Sequence, residues 1–260
     1  MRSIKNILIT SIKNSAKYEF AMYNKITYFI DKLINPLIKI LFFSFILIYC
    51  YGKQGSQTYI IGNIIYGFTF ITLGGASIEF VRDRALGTLQ YIEMSSTSTL
   101  LVFSFKIFYH VMVSIFQFLV LFPIVSSIFK INITLVIFMK ILIAVILIAL
   151  STSAFGMIIG VIGMCLKDIN LILNLIQYTF MILTGINFSI DKLPNILELF
   201  SSFLPITHGL KAINHILEGD QYVFELGLEA LIGIVFIIIL LFIFNIVRKL
   251  AIKYNRLDLY

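Results

Sequence analysis

Polar positions in this chain are few and gathered into short stretches, and between them lie long apolar runs. Six can be read: Leu33 to Tyr51, Tyr59 to Ile78, Leu100 to Phe122, Leu135 to Met164, Ile169 to Phe188 and Ala230 to Val247. Five are close to the roughly 20 mainly apolar residues a helix needs to cross a bilayer, and the fourth, longer than that, is expected to tilt or extend into the cytoplasm. Apolar residues are continuous in these runs rather than alternating, which excludes a β-barrel, the other fold that satisfies its backbone within lipid. The pattern predicts an all-α integral membrane protein with six transmembrane helices.

Composition sharpens that reading. The chain has 260 residues, 60% of them hydrophobic and 13% charged, with a mean hydropathy of +1.00, whereas soluble domains are about half apolar and about a quarter charged. The connections are too short to hold a soluble domain, so residues 1–260 are expected to form one transmembrane domain. The first 20 residues carry no continuous apolar core and no small-residue cleavage site, so they are expected to stay on the mature protein.

Within residues 1–26, Ile4, Ile7, Leu8, Ile12, Ala16 and Phe20 recur near the helical period with Lys5, Lys13 and Lys17 between them. This predicts an interfacial helix with its ammonium groups among lipid phosphates. Of the 20 Lys and Arg residues, most fall on one side of a six-span topology: those from Arg2 to Lys25, Arg82, Arg84, Lys106, Lys167, and Arg248 to Arg256. Lys53, Lys130, Lys140, Lys192 and Lys211 fall on the other, and Lys32 and Lys39 open the first span. The bias places both termini in the cytoplasm. The net charge of +7 is then topology and attraction to anionic lipid, not a nucleic-acid surface. Cys50 and Cys165 fall at opposite ends of the bundle and are not expected to pair.

Small and polar residues punctuate two spans. Asn63, Thr69, Thr72, Gly74, Gly75 and Ser77 in the second either permit close helix approach or line a polar path. Gly156 and Gly160 in the fourth form a small-xxx-small pair suited to close packing. Pro36 is expected in the first turn of its span, and Pro123 near the end of the third. Glu79 is expected to reach water at the end of the second span. Lys39 and His110 admit either a substrate contact or ordinary snorkelling and helix-to-helix hydrogen bonding.

Between the second and third runs lies the polar stretch Phe80 to Ser96, within a segment taken as 80–98. Arg82, Asp83 and Arg84 form a charged knot, Gly87 breaks it, and Leu86, Leu89 and Ile92 recur at three-residue spacing as one apolar face of a short helix. Such a face between charged patches suits docking in a groove of another protein, or a plain amphipathic loop. Residues 189–225, before the last run, hold two apolar pieces too short to span, punctuated by Pro194, Pro205, Gly209 and Gly219. That predicts an external re-entrant or short-helix segment. His208 and His215 stand seven residues apart with no further Cys or His beside them, short of a metal site's ligand count.

Asp83-Arg84-Ala85-Leu86-Gly87-Thr88-Leu89-Gln90 resembles the E-R-x-x-G-T-L-E signature of ABC-2 type exporter permeases. Asp replaces the first Glu and Gln the last, and Ser95-Ser96 stand where a proline is common. Gly185, Leu193-Pro194 and Leu204-Pro205-Ile206-Thr207 follow that family's G…LP…hPlT order, with Ile190 where a proline is common. The resemblance implies that Arg82, Asp83, Arg84, Gly87, Thr88, Leu89 and Gln90 form the element that couples to an ATPase. It further implies that Gly185, Pro194, Pro205 and Thr207 belong to an external gate. A dimer, with itself or a similar permease, would bind two copies of the ATPase, and the substrate path would be bordered by the first, second and fifth spans.

The chain has no G-x-x-x-x-G-K-[ST], so ATP and magnesium would sit on the partner and this chain carries no cofactor of its own. No H-E-x-x-H, G-x-S-x-G or clustered acidic pair is apparent in the spans, so no catalytic or metal residue is assigned. The expectation is a plasma-membrane permease subunit that exports an amphiphile: a drug, an antimicrobial peptide or a lipid-linked molecule. A six-span channel or secondary carrier, or a membrane immunity protein, are the alternatives that would lack an ATPase partner.

Overall fold

A computed structural model describes residues 4–95, 97–164, 166 and 168–253. The predicted features at Arg2, Ser96, Cys165, Lys167 and Arg256 lie outside them. Among the described residues every regular element is helical. The first helix, α1 (Ile4–Met22), is followed by α2 (Lys25–Phe29), which runs through a π-helical turn, Ile30–Ile34, into α3 (Asn35–Gly55). Pro36 explains the wide turn. It has no N–H to donate and its ring crowds the preceding carbonyls, so the helix loosens there rather than starting there.

After a break at Gly52, with φ 72°, come α4 (Gln57–Ala85) and the short α5 (Thr88–Glu93). Two long helices follow, α6 (Thr99–Phe129) and α7 (Leu135–Gly163), and then α8 (Asn170–Leu183). Two short helices, α9 (Asn195–Ser202) and α10 (Thr207–Glu218), precede the last, α11 (Val223–Lys253). Pro123 does not end the third span. It is accommodated inside α6, with Ser127 Oγ donating to the Pro123 carbonyl at 2.8 Å.

Among the described residues five stretches are long and apolar enough to cross a membrane: Lys25–Gly55, Gln57–Ala85, Thr99–Phe129, Leu135–Gly163 and Val223–Lys249. The chain is a multi-pass membrane protein. The fifth apolar run is built differently. Its helix α8 has 14 residues, about 21 Å at 1.5 Å each and short of a bilayer core of about 30 Å. An irregular stretch then extends it, so that Ile169 packs on Gly163 beside Val81 while the Ile186 carbonyl lies over Gly62. Tyr66 Oη donates to Gln177 O at 3.0 Å, and Asn63 Nδ2 to Asn187 Oδ1 at 3.1 Å. The segment from Ile169 to Asn187 therefore runs antiparallel to α4, from Val81 to Gly62.

At the centre α4 packs on α7. A methyl group on Gly156 would meet the Leu73 carbonyl at 2.8 Å and one on Gly160 the Ser77 carbonyl at 2.8 Å, so neither position admits a side chain. Ser77 Oγ donates to Leu73 O at 2.8 Å and Gly156 O at 2.9 Å, closing the seam. The small residues of α4 thus divide: Thr72 and Ser77 are buried in packing, whereas Asn63, Gly74 and Gly75 face a cavity. Helix α1 lies against α6 through the buried stripe Ser11, Ser15 and Glu19, with Ile4 and Phe20 turned outward.

Candidate functional site

Two concave features meet at the end of the bundle that carries α1 and α5. A groove of about 600 Å³ runs between α1 (Ile7, Ser11, Lys17), the end of α4 (Arg82, Leu86) and α5 (Tyr91, Ile92). A cavity of about 880 Å³ is walled by α3, α4 and α8, with the end of α1 and the π-helical turn closing it below. Tyr18 and Arg82 line both.

Between them lies a chain of buried charge. Helical spacing puts Glu79, Arg82 and Asp83 on one face of α4, and Lys106 and His110 on one face of α6. Glu79 is fully buried rather than at the water's edge. The reason is that α1 folds over it and α6 supplies its partners. Its Oε1 accepts a hydrogen bond from His110 Nε2 at 2.8 Å, Arg82 pairs with its other oxygen, and Lys106 Nζ stands 4.0 Å away. Lys106 pairs with Asp83, whose carboxylate also accepts from Thr88 Oγ1 at 3.0 Å. On the other side His110 Nδ1 lies 3.6 Å from Glu19, and Glu19 lies 3.6 Å from Lys32. Tyr109 Oη donates to Glu19 at 3.3 Å, and the Arg82 guanidinium covers the Tyr18 ring at 4.2 Å. Burial of this kind is tolerated only because each charge faces an opposite one. The chain runs from α5 through α4 and α6 to α1 and the foot of α3.

The residues of the predicted coupling element take different places. Gly87, φ 67° and ψ 5°, turns the chain from α4 into α5 in the left-handed region that glycine favours, and a side chain there would meet nothing within 4 Å. Arg82, Asp83 and Thr88 belong to the charge chain. Arg84 faces inward and donates to the carbonyls of Met164 and Leu166 at the end of α7. That is the ordinary use of a cation at a helix C-terminus. Leu89 is buried, and Ile92 is partly buried against the core. The outward face of α5 is therefore Leu86, Tyr91 and Met94 instead of the expected Leu86, Leu89 and Ile92. Because α5 lies flat on the bundle, its three-residue apolar spacing reports its own seat. Gln90 is half-buried, and Glu93 pairs with Arg248 at 2.7 Å, tying α5 to α11.

At the opposite end the four residues expected to share a gate are divided. Gly185, φ 82°, packs on Ile190, and Pro194 caps α9 from an exposed position. Pro205 and Thr207 are buried at the α9–α10 turn. What organises that turn is Glu229 of α11, fully buried. Its carboxylate accepts from Ile206 N and Gly209 N, both at 3.0 Å, and from Ser151 Oγ. Ile206 sits at φ 87° to present its N–H. Glu229 stands one residue before the expected start of the last span. Starting α11 at Val223 puts it two turns inside the helix, and a lone acid bordering an apolar run was the available signal. His208 hydrogen-bonds Glu225 at 2.6 Å and the Ser202 carbonyl at 3.1 Å. Its two ring nitrogens are thus occupied by protein partners.

Close-packed apolar helices, a buried charge chain and a cavity between the helices make this a multi-pass helical membrane protein. Residues 10–217 match the family model for ABC-2 type transporter, and the chain belongs to that family. No curated protein matches it.

Proposed function

We propose that this chain is the permease subunit of an ATP-driven exporter, and that ATP hydrolysis on a separate subunit is felt through α5. Two permease copies, or this chain and a similar one, bind two ATPase subunits that carry the ATP and magnesium. The segment Ile169–Asn187 serves as a sixth crossing, and both termini lie in the cytoplasm. The observation that carries the reading is that Arg82 and Tyr18 wall both the groove beside α5 and the large cavity. A push on α5 reaches Asp83 and Arg82 within one helical turn, and through Glu79 and His110 reaches α6 and α1. Helices joined by paired buried charges move together, since separating the pairs strands charge in low dielectric.

The cavity is bordered by α3, α4 and α8, which in this topology are the first, second and fifth spans. Its mixed lining of amides, tyrosines and apolar groups suits an amphiphile. The test is copurification from the native host. A tagged wild-type chain is expected to bring down an ATPase, and Leu86→Asp with Tyr91→Asp, both exposed at the corner of α4 and α5, to lose it at unchanged permease yield. An ATPase absent from the wild-type preparation would leave the exporter without its motor and return the channel reading.

A further inference from the structure

We propose that the cavity walled by α3, α4 and α8 takes an amphiphile whose polar end is anionic, and that Lys39 is the group that reads that charge. This rests on the cavity being the substrate site of the exporter. Most of the charged groups lining it are already committed. Lys32 stands 3.6 Å from both Glu19 and Asp31, and Arg82 is paired with Glu79. Lys39 also lines the cavity, exposed to it, and no carboxylate lies within 4.0 Å of its ammonium among the described residues.

Its place in the helix adds to this. Lys39 lies one turn beyond Asn35 on the same face of α3, and helical side chains lean toward the N-terminus. The ammonium is thus carried toward the polar end of the cavity, where Asn35 also lines the wall. The apolar lining, Ile40, Phe43, Phe70, Ile71 and Met181, can receive a hydrocarbon portion. A cation without a counter-charge in a partly enclosed cavity is costly, and a ligand anion offsets that cost. A volume of about 880 Å³ is within the range of sites that enclose a small amphiphile.

The test uses the full chain in phosphatidylcholine nanodiscs and two fluorescent probes of equal tail, a dodecyl phosphate and a dodecyl maltoside. Binding of the phosphate is expected about tenfold tighter, the scale of one hydrogen bond to a charged group. Lys39→Gln should erase that preference and leave maltoside binding unchanged, and Lys39→Arg should keep it. Repeating the titration with phosphatidylglycerol in the disc separates two sources of the anion. Competition means that an anionic bilayer lipid fills the site, and no competition means an amphiphile that is not a bulk lipid. Equal binding of both probes, blocked by Gly67→Trp in the cavity wall, would overturn the charge assignment and leave the cavity standing. Binding indifferent to Gly67→Trp, or absent for both probes, would overturn the cavity as well.

Discussion

Glu79 is a single carboxylate facing His110, Arg82 and Lys106 with no contact to water. Removing it leaves Arg82 buried without its counter-charge and His110 Nε2 without its acceptor, while Lys106 keeps Asp83, so Glu79→Ala should destabilise the chain by about 3–5 kcal/mol. Thermal melting in detergent checks this against Glu93→Gln, whose partner Arg248 is half-exposed. That control should cost no more than about 1 kcal/mol. Gly87 makes a different kind of prediction, because nothing crowds it and only its left-handed backbone matters. Gly87→Ala should cost about 1–2 kcal/mol and Gly87→Asn clearly less, since asparagine tolerates that region. Equal loss of melting temperature in the two variants would mean that the turn is not what the glycine serves. Glu79 also shows what a linear reading misses. Next to Phe80 and Arg82 it looks like the wet end of a span, and only the fold of α1 back over α6 removes the water.

Among elements, the α4–α7 seam is the least forgiving. Gly156→Val or Gly160→Val places atoms within 3 Å of a backbone carbonyl on α4, so these variants should elute as aggregate or fail to accumulate. Gly227→Ala in α11, with nothing within 4 Å of the added methyl, should keep wild-type elution and gain up to about 1 kcal/mol from helix propensity. The α9–α10 turn is held by Glu229. Glu229→Ala orphans the Ile206 and Gly209 N–H groups, and amide exchange at the start of α10 should accelerate at least about tenfold, the equivalent of one lost buried hydrogen bond. Unchanged exchange would assign the turn to packing alone. The long helices and their seam were legible because apolar length and small-residue spacing are local properties. The π-helical turn before Pro36, the run of α6 through Pro123 and the part-irregular fifth segment were not. The first two depend on how the backbone around a proline is satisfied within its own helix, and the third on the packing of that segment against α4.

For the whole molecule, the motif around Gly87 was legible as a special element, but the division of labour inside it was not. Leu89 and Arg84 face the protein's own core and the end of α7, and the outward face passes to Leu86, Tyr91 and Met94. Sequence spacing assigns a stripe but not the side of the helix on which the protein itself lies. The hydrophobic pattern does not show the cavity, because its lining comes from α1, α3, α4, α6 and α8; only the family resemblance points to the first, second and fifth spans. The proposed coupling runs through one connection, from α5 through Arg82 to the cavity. The most direct test is ATP hydrolysis by this chain reconstituted with the ATPase that the proposed function requires, with and without a candidate amphiphile. Arg82→Gln is compared with wild type in preparations that retain the intact complex on size exclusion. Wild-type hydrolysis is expected to rise with the amphiphile, and Arg82→Gln to keep basal hydrolysis but lose the rise. An unchanged rise in Arg82→Gln would contradict the proposed coupling, because signal would then be crossing from cavity to ATPase without the charged residue that, with Tyr18, walls both.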